Sequence, residues 1–114
     1  MSSGATTFET FRKIDIRAGT VTRVEKFPEA RTPAYKLFID FGPDIGSLRS
    51  SAQITEYYGP DGLTGRQIAA VVNIPPRRIG AFLSEVLVLG FPDSQGRVVL
   101  VEPERPVPNG ARLF

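Results

Sequence analysis

From Tyr35 to Phe41 the chain alternates with a period of two: Tyr35, Leu37, Ile39 and Phe41 fall on one side, Lys36, Phe38 and Asp40 on the other. That period belongs to an extended strand, whose side chains point to opposite faces in turn. It returns in Leu48–Ile54, where Leu48, Ser50, Ala52 and Ile54 oppose Arg49, Ser51 and Gln53. It begins earlier too, with Ile14, Ile16 and Ala18 opposite Asp15, Arg17 and Gly19. The break at Gly19-Thr20, before Val21, predicts a long bent strand with a glycine bulge.

Turn signals stand at every join. Phe27–Pro33 carries two prolines, Gly42–Gly46 is a turn, and Pro75-Pro76 stops the apolar run Ile68–Val72, which reads as a buried central strand. Val86–Leu89 and Arg97–Glu102 read as two more strands around a turn at Gly90–Gly96. Thr6 and Glu9 are spaced as a capping box, and Phe8 and Phe11 follow three apart, so a short helix over roughly 7–13 is expected. A single helical turn is expected at Thr55–Tyr58, closed by Gly59-Pro60. Five or six short strands in 114 residues, with one helical link after the third, predict one all-β domain over 1–114. Periodicity alone supports a small β-barrel, and the order matches a five-stranded Greek-key OB-fold. Residues 1–7 are expected to be flexible, and 103–114 to form a C-terminal extension.

Histidine and cysteine are both absent. Without them the usual zinc, copper and haem ligands are missing, as are the Ser-His-Asp and Cys-His nucleophiles. No carboxylate pair has a partner base, and no glycine pattern cradles phosphate. A binding protein with no catalytic residue, cofactor or metal is expected. The amino terminus lacks the basic start and apolar middle of a secretory signal, and no run spans a bilayer, so a cytoplasmic protein without membrane insertion is expected.

Of the 14 basic residues only Lys13, Lys26 and Lys36 are lysines; the rest are arginines, suited to forked phosphate contacts and to stacking on bases. Arg66 to Ser84 holds three arginines and no acid, whereas Glu85 to Glu104 holds four acids and one arginine. A basic side and an acidic side are expected despite a net charge of +2.

Arg49–Thr55, Leu63–Gly80, Asp15–Gly19, Pro28–Arg31, Ser84–Gly90 and Val107–Gly110 together resemble the CsaA family of export-related chaperones in order and spacing. The resemblance covers nearly the whole chain after about Phe8. It implies an OB-fold of the tRNA-binding-domain type, as appended to some methionyl- and phenylalanyl-tRNA synthetases. It also implies a homodimer and the binding of unfolded or export-competent polypeptides. Those synthetase appendages carry Ser-x-Gly-Met. Here Ser84 is kept and Val86-Leu87 stands for Gly-Met, which alters any contact needing the glycine backbone or the flexible methionine.

Two ligands are therefore in view, RNA (tRNA first) and an extended peptide. Arg49, Ser51 and Gln53 repeat about 7 Å apart along one strand face, where phosphate, sugar or base edges would fit. Arg77 and Arg78 sit in the Asn73–Gly80 segment, expected to be the proline-stiffened loop between the fourth and fifth strands. Lys36 and Ser84 complete the candidate RNA set. Phe38, facing away from the core stripe, could stack a base, take an apolar peptide residue, or pack as core. Phe8, Phe11, Leu113 and Phe114 are the remaining candidates for a peptide or dimer contact.

Overall fold

The computed structural model describes residues 4–114. Its elements in chain order are α1 (Phe8–Arg12), β1 (Ile16–Lys26), β2 (Tyr35–Asp40), β3 (Ser47–Ala52), α2 (Pro60–Leu63), β4 (Gln67–Val71), β5 (Arg77–Ile79), β6 (Phe82–Ser84), β7 (Leu87–Val88), β8 (Gly90–Pro92) and β9 (Val98–Leu100). Five of them form one antiparallel sheet in the order β3-β2-β1-β4-β7. β1 serves two partners in succession. Ile16–Thr20 lies against β4, and Thr20–Lys26 lies against β2.

The sheet curls until its edges nearly meet. The Arg49 carbonyl on β3 accepts the Glu85 and Val86 amides at 2.7 and 3.3 Å, just before β7. Ser50, the one buried polar residue among those described, donates its hydroxyl to the Val86 carbonyl at 3.0 Å. A small hydroxyl residue suits this seam, where a larger side chain would hold the edges apart and an unpaired one would cost about 1–3 kcal/mol. The result is an all-β, OB-fold-like barrel.

The inward stripe is the one the alternation marks. Leu37, Ile39, Phe41, Val21 and Ile68 are fully buried, each stabilising the fold by roughly 1.5–3 kcal/mol. Leu63 of α2 joins them as a plug. Gly19 faces this core too, and a Cβ there would stand 2.7 Å from Ile39 and Phe41 side-chain atoms. Its place is a close approach, not the bulge expected. The register shift lies further on, between Val21 and Arg23, where β1 turns from one partner to the other.

Several local expectations are corrected. Thr7, not Thr6, caps α1: its Oγ1 accepts the Thr10 amide at 3.1 Å, and the Thr10 hydroxyl lies 3.0 Å away, so the cap gains a partner that Glu9 does not supply. Of the segment 1–7 expected to be flexible, Thr7 is thus held in the cap, and 1–3 lie outside the described residues. The helical turn comes after Gly59-Pro60, not before it. Proline at the first helical position has no amide to lose and a preset φ, so it starts α2 where it was read as a stop. The strand expected at Val86–Leu89 shrinks to two residues, and β8 pairs with β9 inside the segment read as a turn and the strand after it, while Leu89 still donates its amide to the Ala69 carbonyl of β4 at 2.9 Å. Glu102 and Glu104 lie beyond that last strand.

The C-terminal extension docks. Gly110 and Leu113 donate amides to the Ala18 and Ile16 carbonyls at 2.8 and 2.9 Å, and Ala18 donates to Ala111 at 3.0 Å. The tail fills the side of β1 that β2 has not reached. Gln67 and Asn109 hold its approach: Gln67 Nε2 donates to the Val107 carbonyl at 2.7 Å, and Thr20 donates to Asn109 Oδ1 at 2.7 Å.

Candidate nucleic-acid interface

Arg77 and Arg78 do not sit on a loop. β5 and β6 form a hairpin, Arg77 opposite Ser84 and Ile79 opposite Phe82, joined by Gly80-Ala81. Gly80 takes φ +60°, the left-handed region that the first position of a tight II′ turn requires. The hairpin is fastened by Phe82, which packs edge-on to Phe27 at 5.4 Å and to Phe38 at 6.4 Å between ring centroids. Phe27, Ala34 and Phe82 make a second small core outside the barrel, with Phe38, Ala30 and Ile79 against it. The outward Phe38 is thereby explained: it packs beneath the hairpin.

Cations cover these rings. The Arg23 guanidinium lies 4.4 Å above Phe38, Lys36 Nζ is 4.8 Å from Phe27, and Arg49 is 5.4 Å from Phe82. Arg49 also pairs with Glu85 at 3.3 Å, and Lys36 with Glu29 at 3.8 Å. Glu56 pairs with Arg97 at 3.6 Å. Phe38 thus has Arg23 over its ring and Phe82 packed against it.

Ser84 fastens the hairpin to the strand face. Its Oγ accepts the Ser51 amide at 2.9 Å, tying the hairpin to β3. Ser51, Gln53, Arg77 and Arg78 then line one groove of about 450 Å³. Arg31, from the proline-bounded turn after β1, lines it as well. Among the described residues, eight basic side chains have a carboxylate within 4.0 Å, yet Arg31, Arg77 and Arg78 have none. Glu29 borders the same groove and is directed to Lys36. Arg31 escaped the sequence reading because a turn residue has no periodicity to place it; the Pro28–Arg31 match was its one signal.

The four other candidates gather where the two termini meet. Phe8, Phe11, Leu113 and Phe114, with Ile14 and Arg112, line a cleft of about 300 Å³. Phe8, Ile14, Leu113 and Phe114 are exposed there, so the two termini present one apolar patch. No group of carboxylates among the described residues could hold a metal ion, and no helix among them is long and apolar enough to cross a membrane.

The fold is an OB-fold-like β-barrel whose arginine groove lies between the turn after β1, the end of β3 and the β5–β6 hairpin. Residues 16–112 match the family model described as "Putative tRNA binding domain", and the chain belongs to that family. Within it the chain is CsaA-like. The crystal structure of chaperone CsaA from Bacillus anthracis str. Ames is 51% identical, with a TM-score of 0.91 over 97% of this chain and 100% of that one. The CsaA chaperone protein from Picrophilus torridus is 48% identical, with a TM-score of 0.89 over 96% and 100%. Methionine–tRNA ligase of Flavobacterium johnsoniae is 34% identical over 93% of this chain, and the chain spans 14% of that enzyme's length.

Proposed function

We propose that this protein is a non-enzymatic RNA-binding module, with tRNA its first ligand, acting in the cytoplasm. The observation that carries the reading is the groove of Arg31, Arg77 and Arg78. These three arginines line it with no carboxylate within 4.0 Å of any of them, the groove's one acid, Glu29, pairing with Lys36, while other arginines of the chain are ion-paired. A row of unpaired arginines beside Ser51 and Gln53 suits a phosphate backbone, with hydroxyl and amide groups for sugar and base edges. The family description and the likeness to methionine–tRNA ligases support tRNA in particular.

A homodimer belongs to this reading, supported by the apolar patch of Phe8, Ile14, Leu113 and Phe114, which is large for a chain of this size to leave in water. Two copies would double the basic surface and give a bulky RNA two attachments. A second reading, an export-related chaperone for unfolded polypeptides, is favoured by the likeness to the CsaA structures.

The two are separated by titrating bulk tRNA and an unfolded preprotein, each at two salt concentrations. tRNA affinity should fall with salt, by roughly 0.7–0.9 in log–log slope for each phosphate neutralised. Peptide binding driven by apolar area should hold or strengthen. tRNA binding that ignores salt, or fails altogether, would sink the first reading.

A further inference from the structure

Two grooves meet along one ridge. The arginine groove and a second one of about 440 Å³ share Ser51, Gln53, Arg77 and Ile79. The second is different in kind. Buried Ile54 and Val86 lie at its base, and Ile74 and Leu87 stand at its lips, 37% and 49% exposed. Leu87 and Val86 are the two residues that replace Gly-Met after Ser84. Ser84 itself lines this groove, and its hydroxyl, having accepted the Ser51 amide, meets no acceptor among the described residues.

We propose that the apolar groove receives a base splayed out of an unpaired RNA segment whose phosphates run along Arg31, Arg77 and Arg78. The inference rests on the RNA reading above and narrows it from RNA in general to single-stranded segments or loops. A duplex keeps its bases stacked inside and offers nothing apolar to a side groove, whereas an unpaired nucleotide turns its flat face outward. Aliphatic side chains on either side of a base are one established way of holding it. The nearby aromatic platforms are already capped by Arg23, Lys36 and Arg49, so the uncovered apolar surface lies here. The Ser84 hydroxyl and the Gln53 amide stand at the rim to meet base edges. Charge decides between a nucleotide and an apolar peptide. A peptide would fill the groove yet leave three guanidinium groups beside it without counter-charge, and a polynucleotide satisfies both.

The test uses the full chain and three RNAs of equal length: a single strand, the same strand with its bases removed to give an abasic backbone, and a blunt duplex. All carry the same phosphates per strand. Binding is followed by fluorescence anisotropy. The base-bearing strand should bind about tenfold more tightly than the abasic one. In the double variant Ile74→Gln, Leu87→Gln the ratio should approach one, with the salt slope unchanged. Both positions are exposed enough that the fold should survive, which circular dichroism checks, and the comparison in the unsubstituted protein stands whatever the variant does. Equal binding of the abasic strand would overturn the proposal while leaving RNA binding intact. Failure of all three RNAs would overturn the proposal, and failure of bulk tRNA with them would overturn the RNA reading itself. A leucine-rich peptide that occupies the groove with no base dependence in RNA binding would give it to a peptide and also overturn the proposal.

Discussion

The clasp of the termini and the groove beside the hairpin use their arginines differently. Where the termini meet, Asp15 receives Arg17 Nε at 2.6 Å and Arg112 Nε at 3.4 Å. A second Arg17 nitrogen also donates to Asp15 at 3.3 Å, and other donors go to backbone carbonyls, Arg17 to Gly110 at 2.9 Å and Arg112 to Arg12 at 2.7 Å. Asn73 closes the clasp, accepting the Asp15 amide and donating to the Lys13 carbonyl. At the hairpin, Arg31, Arg77 and Arg78 border one groove with no such partner. Arginine in one place is mortar between α1, β1 and the tail; in the other it is held ready for a ligand. Total charge is blind to this difference, which depends on where carboxylates fall in space.

The largest expected effect attacks the hairpin without touching its charge. Phe82→Ala removes the ring that joins Phe27 and Phe38, and should cost about 3 kcal/mol of stability. RNA affinity should fall with it, because Arg77 and Arg78 lose their placement. A denaturant titration and an RNA titration on the same variant check both; undiminished RNA affinity would show that the hairpin's seating is irrelevant to the site.

Next comes the charge itself. Arg77→Ala with Arg78→Ala should weaken tRNA binding by about tenfold or more and flatten the salt dependence by roughly 0.7–0.9 for each phosphate no longer neutralised. Thermal stability should stay put. Arg17→Ala should do the reverse, lowering stability and sparing affinity. If the two variants behave alike, the contrast between clasp and groove is wrong.

The termini give a third test. Deleting the tail would strip backbone partners from Ile16 and Ala18 as well as the apolar patch, so Leu113→Asp with Phe114→Asp is the cleaner change. Both side chains are exposed, and the docked backbone should remain. If the proposed dimer forms through this patch, sedimentation at low micromolar concentration should show dimer for the parent and monomer for the variant. A variant that stays dimeric places the interface elsewhere.

The smallest effect belongs to pH. Hydrogen bonding from Arg17, with the nearby charges of Arg17 and Arg112, holds the Asp15 carboxyl below the usual aspartate range against a smaller opposing effect of burial. Its folded value is thus lower than its unfolded one. The stabilisation is fully present above the ordinary aspartate value and is lost as pH falls through the depressed one. Asp15→Asn should cost about 1 kcal/mol near neutrality and nothing once the parent's carboxyl is protonated. Chemical denaturation at neutral and strongly acidic pH reads the difference, and a loss equal at both would mean the clasp works by shape alone.

Much of the barrel was legible in the residues. Tyr35–Phe41 and Leu48–Ile54 have the correct inward faces, since strand period and burial share one cause. Ile68–Val72 is the central strand expected, with Ile68, Ala69 and Ala70 buried in succession. Pro60 misled, because proline marks a boundary without saying which side of it the helix lies. The Arg77–Ser84 hairpin was hidden for a related reason: three-residue strands are too short to show a period. What only tertiary structure decided is which charges are free. Arg49 found Glu85 across the barrel seam, Arg17 and Arg112 converged on Asp15 from opposite ends of the chain, and Arg31 joined Arg77 and Arg78 from a distant turn. Local preference writes strands and turns into a sequence, but ion pairing is a matter of ångströms between distant side chains, and those distances exist only once the barrel has closed.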